Sequence, residues 1–230
     1  MQKKIGGYGF SEKEPEYISE YSDGNPEEIF KRKLIELSSK NKNMLDVGCG
    51  DGIFAFQMAN YFSNVVGIDF SIELLKIANE KQKELNIENC RFEVQNAEKT
   101  SFDNSSFNVI FSRRGLTPYH EFYRLLKTEG SFVIITIGET DAKSLKEVFG
   151  RGQNYNERGD SRLKTDTELI KKIGFEIAFA EDYFYEEYYP SYDEFNLFLQ
   201  GVPIFEDFDP SKDRKFVEEY INLNATEKGD

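Results

Sequence analysis

Short apolar segments alternate with segments of helical periodicity between about residues 43 and 184. Compact runs rich in β-branched and aromatic residues predict strands, and longer runs with apolar residues three and four apart predict amphipathic helices. The predicted strands are Asn43–Val47, Asn64–Asp69, Cys90–Gln95, Phe107–Ser112, Gly130–Ile137 and Phe175–Ala180. The predicted helices between them are Ile53–Phe62, one after Ser71, one from Thr117 to about Lys127, and Thr165–Ile173. This alternation is typical of an α/β protein with a mostly parallel sheet.

Three local signals set the ends of these helices. Ser71 can cap the helix that follows it, because its hydroxyl accepts a hydrogen bond from an otherwise unpaired backbone N–H. Thr117 followed by Pro118 predicts a capping residue with proline at the first helical position. Gly174 marks a helix end, since glycine adopts the left-handed conformation that closes many helices.

The pattern is looser towards the C-terminus, where the chain becomes aromatic and acidic. The elements predicted there are a helix over Asp141–Phe149, a polar loop over residues 151–162, a bend at Pro190, a helix over Tyr192–Leu199, a turn at Gly201–Pro203 and a last helix from about Ser211. We divide this single domain into an N-terminal lid and helix (1–42), a core (43–184) and an acidic aromatic appendage (185–230).

The composition predicts a soluble globular chain. Of its 230 residues, 39% are hydrophobic and 31% are charged, and no apolar run is long enough to span a membrane. The N-terminal sequence lacks the apolar stretch of a secretory signal. Two cysteines without ligand spacing and a single histidine argue against zinc or disulfides, so we expect a cytoplasmic protein without a metal. The net charge of −13 disfavours nonspecific binding to nucleic acid.

The first predicted strand runs into a glycine-rich turn, LDVGCGDG at residues 45–52. A bare turn needs fewer glycines, so the turn indicates a ligand close to the backbone. No Gly-Lys-Ser/Thr follows, which excludes a P-loop. Residues 50–55 do satisfy the G-x-G-x-x-A pattern of dinucleotide binding. However, Asp46 and Asp51 flank the turn, and carboxylates attract a cationic ligand rather than a pyrophosphate.

The turn resembles motif I of the class I S-adenosylmethionine-dependent methyltransferases, an acidic residue followed by three alternating glycines. Asp46, Gly48, Gly50 and Gly52 match that motif. Asp69 closes the second predicted strand, where the family places an acid that accepts both ribose hydroxyls. Residues 95–102 and 121–134 also resemble family segments, with Asn96 and Glu129 in place of the usual Asp and Gly. The resemblance covers about residues 43–184 and implies a Rossmann-like, doubly wound sheet with helices on both faces.

The resemblance also implies a set of residues that bind the cofactor S-adenosyl-L-methionine. Asp46 would support the turn near the methionine end, Gly48 and Gly50 would let the backbone approach the nucleoside, and Asp69 would hold the ribose. Phe70 would stack on the adenine, although an aromatic residue after a strand is often core, and the Asn96 amide oxygen would accept from the adenine amino group. The complete predicted set is Asp46, Gly48, Cys49, Gly50, Asp69, Phe70, Asn96, Ala97 and Ser112.

The acceptor is expected just beyond the fourth strand, at residues 111–122. Ser112 and Arg113 are placed to touch the cofactor or the acceptor, and an arginine there can bind an acidic group. For Arg114 we expect a solvated or acid-paired side chain. His120 is the only histidine and hence a candidate general base, the alternative being a surface residue.

Two further regions are candidates for the walls of the acceptor pocket. One is a cationic loop whose basic residues are Arg151, Arg158, Arg162 and Lys164, with solvated charges as the alternative. The other is the aromatic run Tyr183–Phe198. That run could equally pack on the sheet. Ahead of the first strand, residues 5–24 with Tyr8, Phe10, Tyr17 and Tyr21 resemble the lid that many enzymes of this family fold over the cofactor.

The main hypothesis is a methyltransferase that acts on a small, possibly anionic, acceptor. The alternatives are an RNA methyltransferase, a noncatalytic S-adenosylmethionine-binding protein and a dinucleotide oxidoreductase. One departure from the family concerns the sheet, whose seventh, antiparallel strand has no clear counterpart. Either residues 183–189 supply extended pairing or that strand is missing.

Overall fold

The computed structural model describes residues 4–5, 8–9, 14–156 and 160–228. The strands are β1 (Lys4–Ile5), β2 (Tyr8–Gly9), β3 (Ile18–Tyr21), β4 (Asn43–Val47), β5 (Asn64–Asp69), β6 (Cys90–Val94), β7 (Phe107–Arg113), β8 (Leu126–Ile135) and β9 (Tyr185–Tyr188). The helices are α1 (Pro26–Leu37), α2 (Ile53–Ala59), α3 (Ile72–Glu84), α4 (Tyr119–Leu125), α5 (Lys143–Phe149), α6 (Arg162–Ile173), α7 (Tyr192–Gly201) and α8 (Arg214–Asn224). None of these helices is long and apolar enough to cross a membrane.

The described chain forms two compact units. Residues 25–137 and 165–180 form one, which we call the sheet unit. The described residues of 1–24, 138–164 and 181–230 form the other, which we call the aromatic unit.

The sheet unit contains a five-stranded parallel sheet of order β6-β5-β4-β7-β8. The Rossmann-like α/β fold predicted from the sequence is therefore confirmed. Strand β4 lies at the centre, where Asp46 is in register with Gly67 of β5 and Phe111 of β7. Because parallel strands end at the same edge of a sheet, the segments that follow β4, β5, β6 and β7 meet there.

Apolar side chains cover both faces of the sheet. One cluster joins α1 and α2 to the sheet through residues such as Phe30, Phe56 and Phe111. The other joins α4 and α6 to the opposite face through residues such as Phe122 and Ile170. On β4, Met44 belongs to the first cluster and Leu45 and Val47 belong to the second, as expected for a strand buried on both sides.

Two of the predicted helix ends are confirmed and one is wrong. The Ser71 hydroxyl accepts from the Leu74 N–H at 3.2 Å and caps α3. Gly174 follows α6 with a φ of +117°. In contrast, α4 begins at Tyr119 with Pro118 at the capping position and no capping side-chain hydrogen bond, so Thr117 does not cap it.

The predicted sixth strand is wrong in the part of the chain that the structure describes. Phe175–Ala180 follows α6 but is not a strand. Phe175 and Ile177 pack against the cluster under α4 and α6, and the Phe175 ring lies 4.8 Å from that of Phe132. The alternation that predicted a strand therefore reflects one face packing on the core, without the backbone partner that a strand requires.

The uncertainty about a seventh strand also has an answer. Tyr185–Tyr188 does form a strand, but it pairs antiparallel with Ile18–Tyr21 in a separate two-stranded sheet of the aromatic unit. The tyrosines of the two strands contact each other, with ring centroids 5.5 Å apart for Tyr21 and Tyr185. Among the described residues, the parallel sheet thus has no antiparallel strand.

The aromatic unit has its own core, formed by α5, α7, α8 and the segment after α7. Phe149 of α5 stacks on Phe205 with ring centroids 4.1 Å apart. Val217 of α8 and Leu199 of α7 are fully buried in the same cluster. The helices predicted for this region are therefore confirmed, with ends shifted by a few residues.

Candidate functional site

The glycine turn after β4 adopts a backbone that only glycine takes readily. Gly48, Gly50 and Gly52 have φ values of +78°, +55° and +78°, which is the left-handed region. The N–H groups of Gly48 and Cys49 both donate to the Ile68 carbonyl, at 2.9 and 3.0 Å. The turn is thus fixed against the end of β5, and α2 begins directly after it.

The glycines of this site divide into two kinds. A Cβ atom built on Gly50 would meet nothing within 4 Å, and one on Gly48 would meet only the Gly115 Cα at 4.0 Å. A Cβ on Gly52 would lie 2.7 Å from the Phe92 ring, and one on Gly67 would lie 2.6 Å from it. Gly48 and Gly50 therefore border open space where a ligand can approach, whereas Gly52 and Gly67 are required by packing.

This division predicts that two alanine substitutions in the same turn differ in their main effect, one on stability and the other on cofactor affinity. Gly52→Ala is expected to lower the free energy of unfolding by about 2–3 kcal/mol, because the methyl group overlaps Phe92 and the residue keeps a positive φ. Gly50→Ala should cost only about 1 kcal/mol of backbone strain, yet its methyl group enters the open space and should weaken cofactor binding. Urea unfolding and calorimetric titration with S-adenosylhomocysteine measure the two effects. If folded Gly50→Ala and folded Gly52→Ala lost the same affinity for S-adenosylhomocysteine, the division of the glycines into these two kinds would be wrong.

Asp69 holds the turn and the start of α3 together. Its Oδ2 accepts from the Gly50 N–H at 3.0 Å, and its Oδ1 accepts from the Ser71 N–H at 2.9 Å. The side chain is half-buried at the carboxyl end of β5. Each carboxylate oxygen has a second lone pair, so the predicted contact with the two ribose hydroxyls stays a prediction that this geometry allows.

Asp46 is a buried carboxyl group beneath the turn. Only 3% of the residue is exposed, and its Oδ2 has no hydrogen-bond partner among the described residues. Burial raises the pKa of Asp46 to about 8, with Arg113 opposing the shift and Asp69 adding to it. This acid is therefore largely protonated at neutral pH in the absence of a ligand.

Asp51 differs from Asp46, although the sequence argument treated the two acids alike. Lys81 of α3 lies 2.6 Å from the Asp51 Oδ2, and the Asp51 Oδ1 accepts from the Ile53 N–H at 3.4 Å. Its charge is balanced by this lysine. This pairing weakens the attraction of a cationic ligand by Asp51, and the attraction by Asp46 stays a prediction.

The residues expected around the adenine lie after β5 and β6. Phe70 is 65% exposed, so the alternative that it belongs to the core is wrong. Asn96 is exposed, and its Oδ1 accepts from the Glu98 N–H at 2.9 Å, which occupies one of the two lone pairs of that oxygen. Ala97 is half-buried and packs against the α4 side of the sheet. Cys49 is buried with its Sγ beside Gly67, and burial raises the pKa of its thiol, so the thiol stays neutral.

Glu121 of α4, which the sequence analysis did not single out, fixes the segment that carries Asn96 and Ala97. Thr100 donates to its Oε1 from the backbone N–H at 2.8 Å and from the hydroxyl at 2.7 Å. Arg124 donates to both carboxylate oxygens, at 2.6 and 2.8 Å, and these bonds lower the pKa of Glu121 to about 2. A Glu and an Arg three positions apart on a helix signal an ion pair, but the contact with Thr100 has no signal in the sequence.

The segment after β7 contains the residues expected near the acceptor. Ser112 is fully buried, and its hydroxyl donates to the Leu116 carbonyl at 2.8 Å, so it closes this turn. Arg114, with a φ of +55°, lies 3.0 Å from the Glu27 carboxylate, which confirms the acid-paired alternative. Arg113 reaches the same carboxylate at 3.6 Å and lies over the Phe54 ring at 5.6 Å, with 44% of its side chain exposed.

The remaining candidates lie on exposed surface or in ion pairs. His120 is exposed on the first turn of α4, as its surface interpretation predicts. Arg151 pairs with Asp207 and Asp213, each at 2.8 Å, so its charge is not simply solvated, and a place in the wall of an acceptor pocket stays a prediction. Lys164 pairs with Asp160 at 2.9 Å. Arg158 and Phe10 lie outside the described residues, as does the side chain of Tyr8.

The family of this chain follows from comparison with known proteins. Residues 38–174, more than half of the chain, match the family described as a methyltransferase domain. The chain therefore belongs to that family, in agreement with the resemblance of its glycine turn to the class I S-adenosylmethionine-dependent methyltransferases. Membership in this family favours S-adenosylmethionine over a dinucleotide as the ligand of the glycine turn.

Particular relatives are less similar. A demethylmenaquinone methyltransferase of Listeria welshimeri is 32% identical over 126 residues, which cover 50% of this chain and 53% of that protein. Phosphoethanolamine N-methyltransferase 3 of Arabidopsis thaliana is 30% identical over 162 residues, which cover 65% of this chain and 31% of that protein. The chain thus spans about half the length of the curated relatives that it matches first.

Solved structures support the fold. A methyltransferase structure from Bacillus halodurans has a TM-score of 0.59 at 19% identity and covers 86% of each chain. Phosphoethanolamine N-methyltransferase 2 of Haemonchus contortus, solved with phosphomonomethylethanolamine and S-adenosylhomocysteine, has a TM-score of 0.51 at 27% identity. It covers 63% of this chain and 37% of its own.

The residues at the carboxyl edge of the sheet fit S-adenosylmethionine on three observations. Gly48 and Gly50 border open space, so the backbone can approach a nucleoside. The unpartnered Asp46 Oδ2 is a buried acceptor suited to a cationic group. Phe70 presents an exposed ring directly after Asp69, where an adenine could stack.

Proposed function

We propose that this protein transfers the methyl group of S-adenosylmethionine to a small acceptor that carries an anionic group. The observation that supports the anionic group is the charge balance at the end of β7. Arg113 and Arg114 share one carboxylate, that of Glu27, and Arg114 lies closer to it. Arg113 is thus held less closely by this carboxylate than Arg114 is, in a chain whose net charge is −13.

The guanidinium of Arg113 is suited to hold an acceptor. It is held over the Phe54 ring, so less conformational freedom is lost when it binds a ligand. Nearly half of the side chain is exposed at the carboxyl end of β7, where ligands of open α/β sheets bind. Asp46 does not cancel its charge while that acid is protonated.

The chain's own contribution to the reaction is binding and orientation. Gly48, Gly50, Asp69 and Phe70 would hold the donor, and Arg113 would fix the anionic end of the acceptor. The bound donor supplies a methyl group on a positively charged sulfur, which needs little activation. Orientation of the acceptor nucleophile towards that methyl group is therefore the main task left to the protein.

Two of the relatives support an acceptor of this kind. The proteins of Arabidopsis thaliana and Haemonchus contortus are phosphoethanolamine N-methyltransferases, and the latter was solved with a phosphorylated amine. The demethylmenaquinone methyltransferases among the relatives point to a different small molecule. We therefore propose the chemical class, a small molecule with a phosphate or carboxylate group, and not a particular compound. The acidity of the chain favours such an acceptor over RNA.

The test begins with donor binding and proceeds to acceptors. S-adenosylhomocysteine should bind in a calorimetric titration and NADH should not; the reverse would contradict the donor. Release of S-adenosylhomocysteine should then be measured with phosphorylated, carboxylated and neutral forms of the same amines and alcohols. We expect turnover with anionic members of the series. Turnover with neutral members alone, or donor binding without turnover, would contradict the proposed acceptor.

A matched pair of arginine variants locates the acceptor contact. Arg113→Gln should raise the KM for an anionic acceptor at least tenfold, measured with S-adenosylmethionine at saturating concentration. Arg114→Gln serves as the control, because Arg114 is the arginine that lies closer to Glu27. Equal KM values for the two variants would show that Arg113 does not bind the acceptor.

A further inference from the structure

We propose that Asp46 carries a proton in the free protein and releases it to solvent when the cationic methionine end of the donor binds. The inference rests on the proposed donor, but it requires neither an acceptor nor turnover. It makes donor affinity dependent on pH through one carboxyl group. The discriminating feature of the ligand is a positive charge, which the donor has and a neutral nucleoside lacks.

Asp46 is buried near the end of the central strand. Asp46 is the penultimate residue of the central strand, directly below the glycine turn, and is 3% exposed. Its Oδ2 is fully buried without a hydrogen-bond partner among the described residues. A carboxylate in such a place is costly, because burial removes its charge from solvent and no described residue donates a hydrogen bond to this oxygen. The acid is therefore neutral until something cationic approaches.

The charged and titratable groups that act on Asp46 come from each neighbouring element. Arg113 of β7 favours the ionised form, and Asp69 of β5 disfavours it. Cys49 of the turn and Cys90 of β6 are buried thiols whose pKa values are raised, so both stay neutral. Burial outweighs the opposing effect of Arg113 and raises the pKa of Asp46 to about 8.

Donor binding changes that balance. Gly48, two residues after Asp46, borders open space. The proposal places the ligand there, with its ammonium group on the side of the Asp46 carboxyl group. A nearby positive charge favours the carboxylate and lowers its pKa. The step is balanced: the ligand's charge is compensated by the carboxylate, and the proton leaves to bulk water.

A quantitative expectation follows for S-adenosylhomocysteine, which retains the ammonium group. At pH values below the pKa of Asp46 in the free protein and above its pKa in the complex, the dissociation constant should fall about tenfold for each unit of rising pH. Between pH 5.5 and 7.0 we therefore expect binding to tighten by roughly 30-fold. Titrations at pH 6.5 in two buffers of different ionisation enthalpy should show the release of close to one proton.

Ligand and protein controls make the assignment specific. 5′-Methylthioadenosine lacks the amino-acid end and should bind without proton release. Asp46→Asn should bind S-adenosylhomocysteine with an affinity independent of pH over the same range. Asp51→Asn is the matched control, because this acid of the same turn is already paired with Lys81, and it should keep the linkage. His120→Gln should keep it too, which excludes the only histidine.

The outcomes separate this inference from the proposed function. If S-adenosylhomocysteine does not bind at any pH, the donor assignment itself is wrong. If it binds with the same affinity at pH 5.5 and 7.0, or if proton release persists in Asp46→Asn, the linkage to Asp46 is wrong while the donor assignment stands. Circular dichroism checks that Asp46→Asn is folded. Should it not fold, the comparison of the two ligands on the unmodified protein still decides the matter.

Discussion

Replacing Asp69 with alanine is expected to weaken binding of S-adenosylhomocysteine by about 100-fold or more. In the proposed donor site the carboxylate accepts from two ribose hydroxyls, and hydrogen bonds to a charged group contribute about 1.5–3 kcal/mol each. The substitution also removes the acceptor of the Gly50 N–H, whose hydrogen bond to Asp69 is 3.0 Å long. The turn that borders the ligand would thus lose its fixed position as well. Calorimetric titration measures the loss.

Two variants separate binding from stability at this position. Ser71→Ala removes the cap of α3 and should cost about 1 kcal/mol of unfolding free energy, while leaving the affinity unchanged, because the hydroxyl contacts Leu74 and Glu73 rather than the turn. Asp69→Asn retains the size of the side chain and should give an intermediate affinity. If Asp69→Ala binds as tightly as the unmodified protein, Asp69 does not hold the ribose.

Replacing Arg151 with alanine is expected to destabilise the aromatic unit by about 3 kcal/mol. The guanidinium donates to both oxygens of Asp213 at 2.8 Å and to Asp207 at 2.8 Å. It also lies over the Phe205 ring at 5.2 Å. Asp213 is only 5% exposed, so removing the arginine leaves a buried carboxylate without its counter-charge. Equilibrium unfolding in urea, followed by tyrosine fluorescence, measures the change.

Arg214 provides the matched control for Arg151. It too makes an ion pair, with Glu218 at 2.7 Å, and lies over an aromatic ring, that of Tyr192. Both members of that pair are largely exposed, so Arg214→Ala should cost no more than about 1 kcal/mol. Similar losses for the two variants would show that burial of Asp213 does not determine the effect of Arg151.

Local patterns predicted much of the sheet unit. The strands Asn43–Val47 and Asn64–Asp69 have the predicted bounds, because their apolar runs end at residues that cannot continue a buried strand. The cap at Ser71 and the helix end at Gly174 are likewise local effects of single side chains. Phe175–Ala180 shows the limit of such patterns. Alternation reports which side chains are buried, whereas a strand also needs a neighbouring backbone.

The chemistry of the site depended more on tertiary contacts. Asp46 and Asp51 look equivalent in the sequence, yet one is buried without a partner and the other is neutralised by Lys81 from another helix. Arg151 looked like a free cation, but its partners lie 56 and 62 residues further along the chain. Neither pairing leaves a trace in the local sequence, since the partners meet only when separate elements pack.

The sequence by itself thus determined the fold class, the glycine turn and the acid at the end of the second sheet strand, because these depend on the periodicity and backbone freedom of adjacent residues. Tertiary structure alone decided which charges remain available. It left Arg113 with a share of one carboxylate and Asp46 with an unpaired oxygen. The reason is physical: the charge state of a group depends on burial and on neighbours in space, and both are set only when the chain is packed.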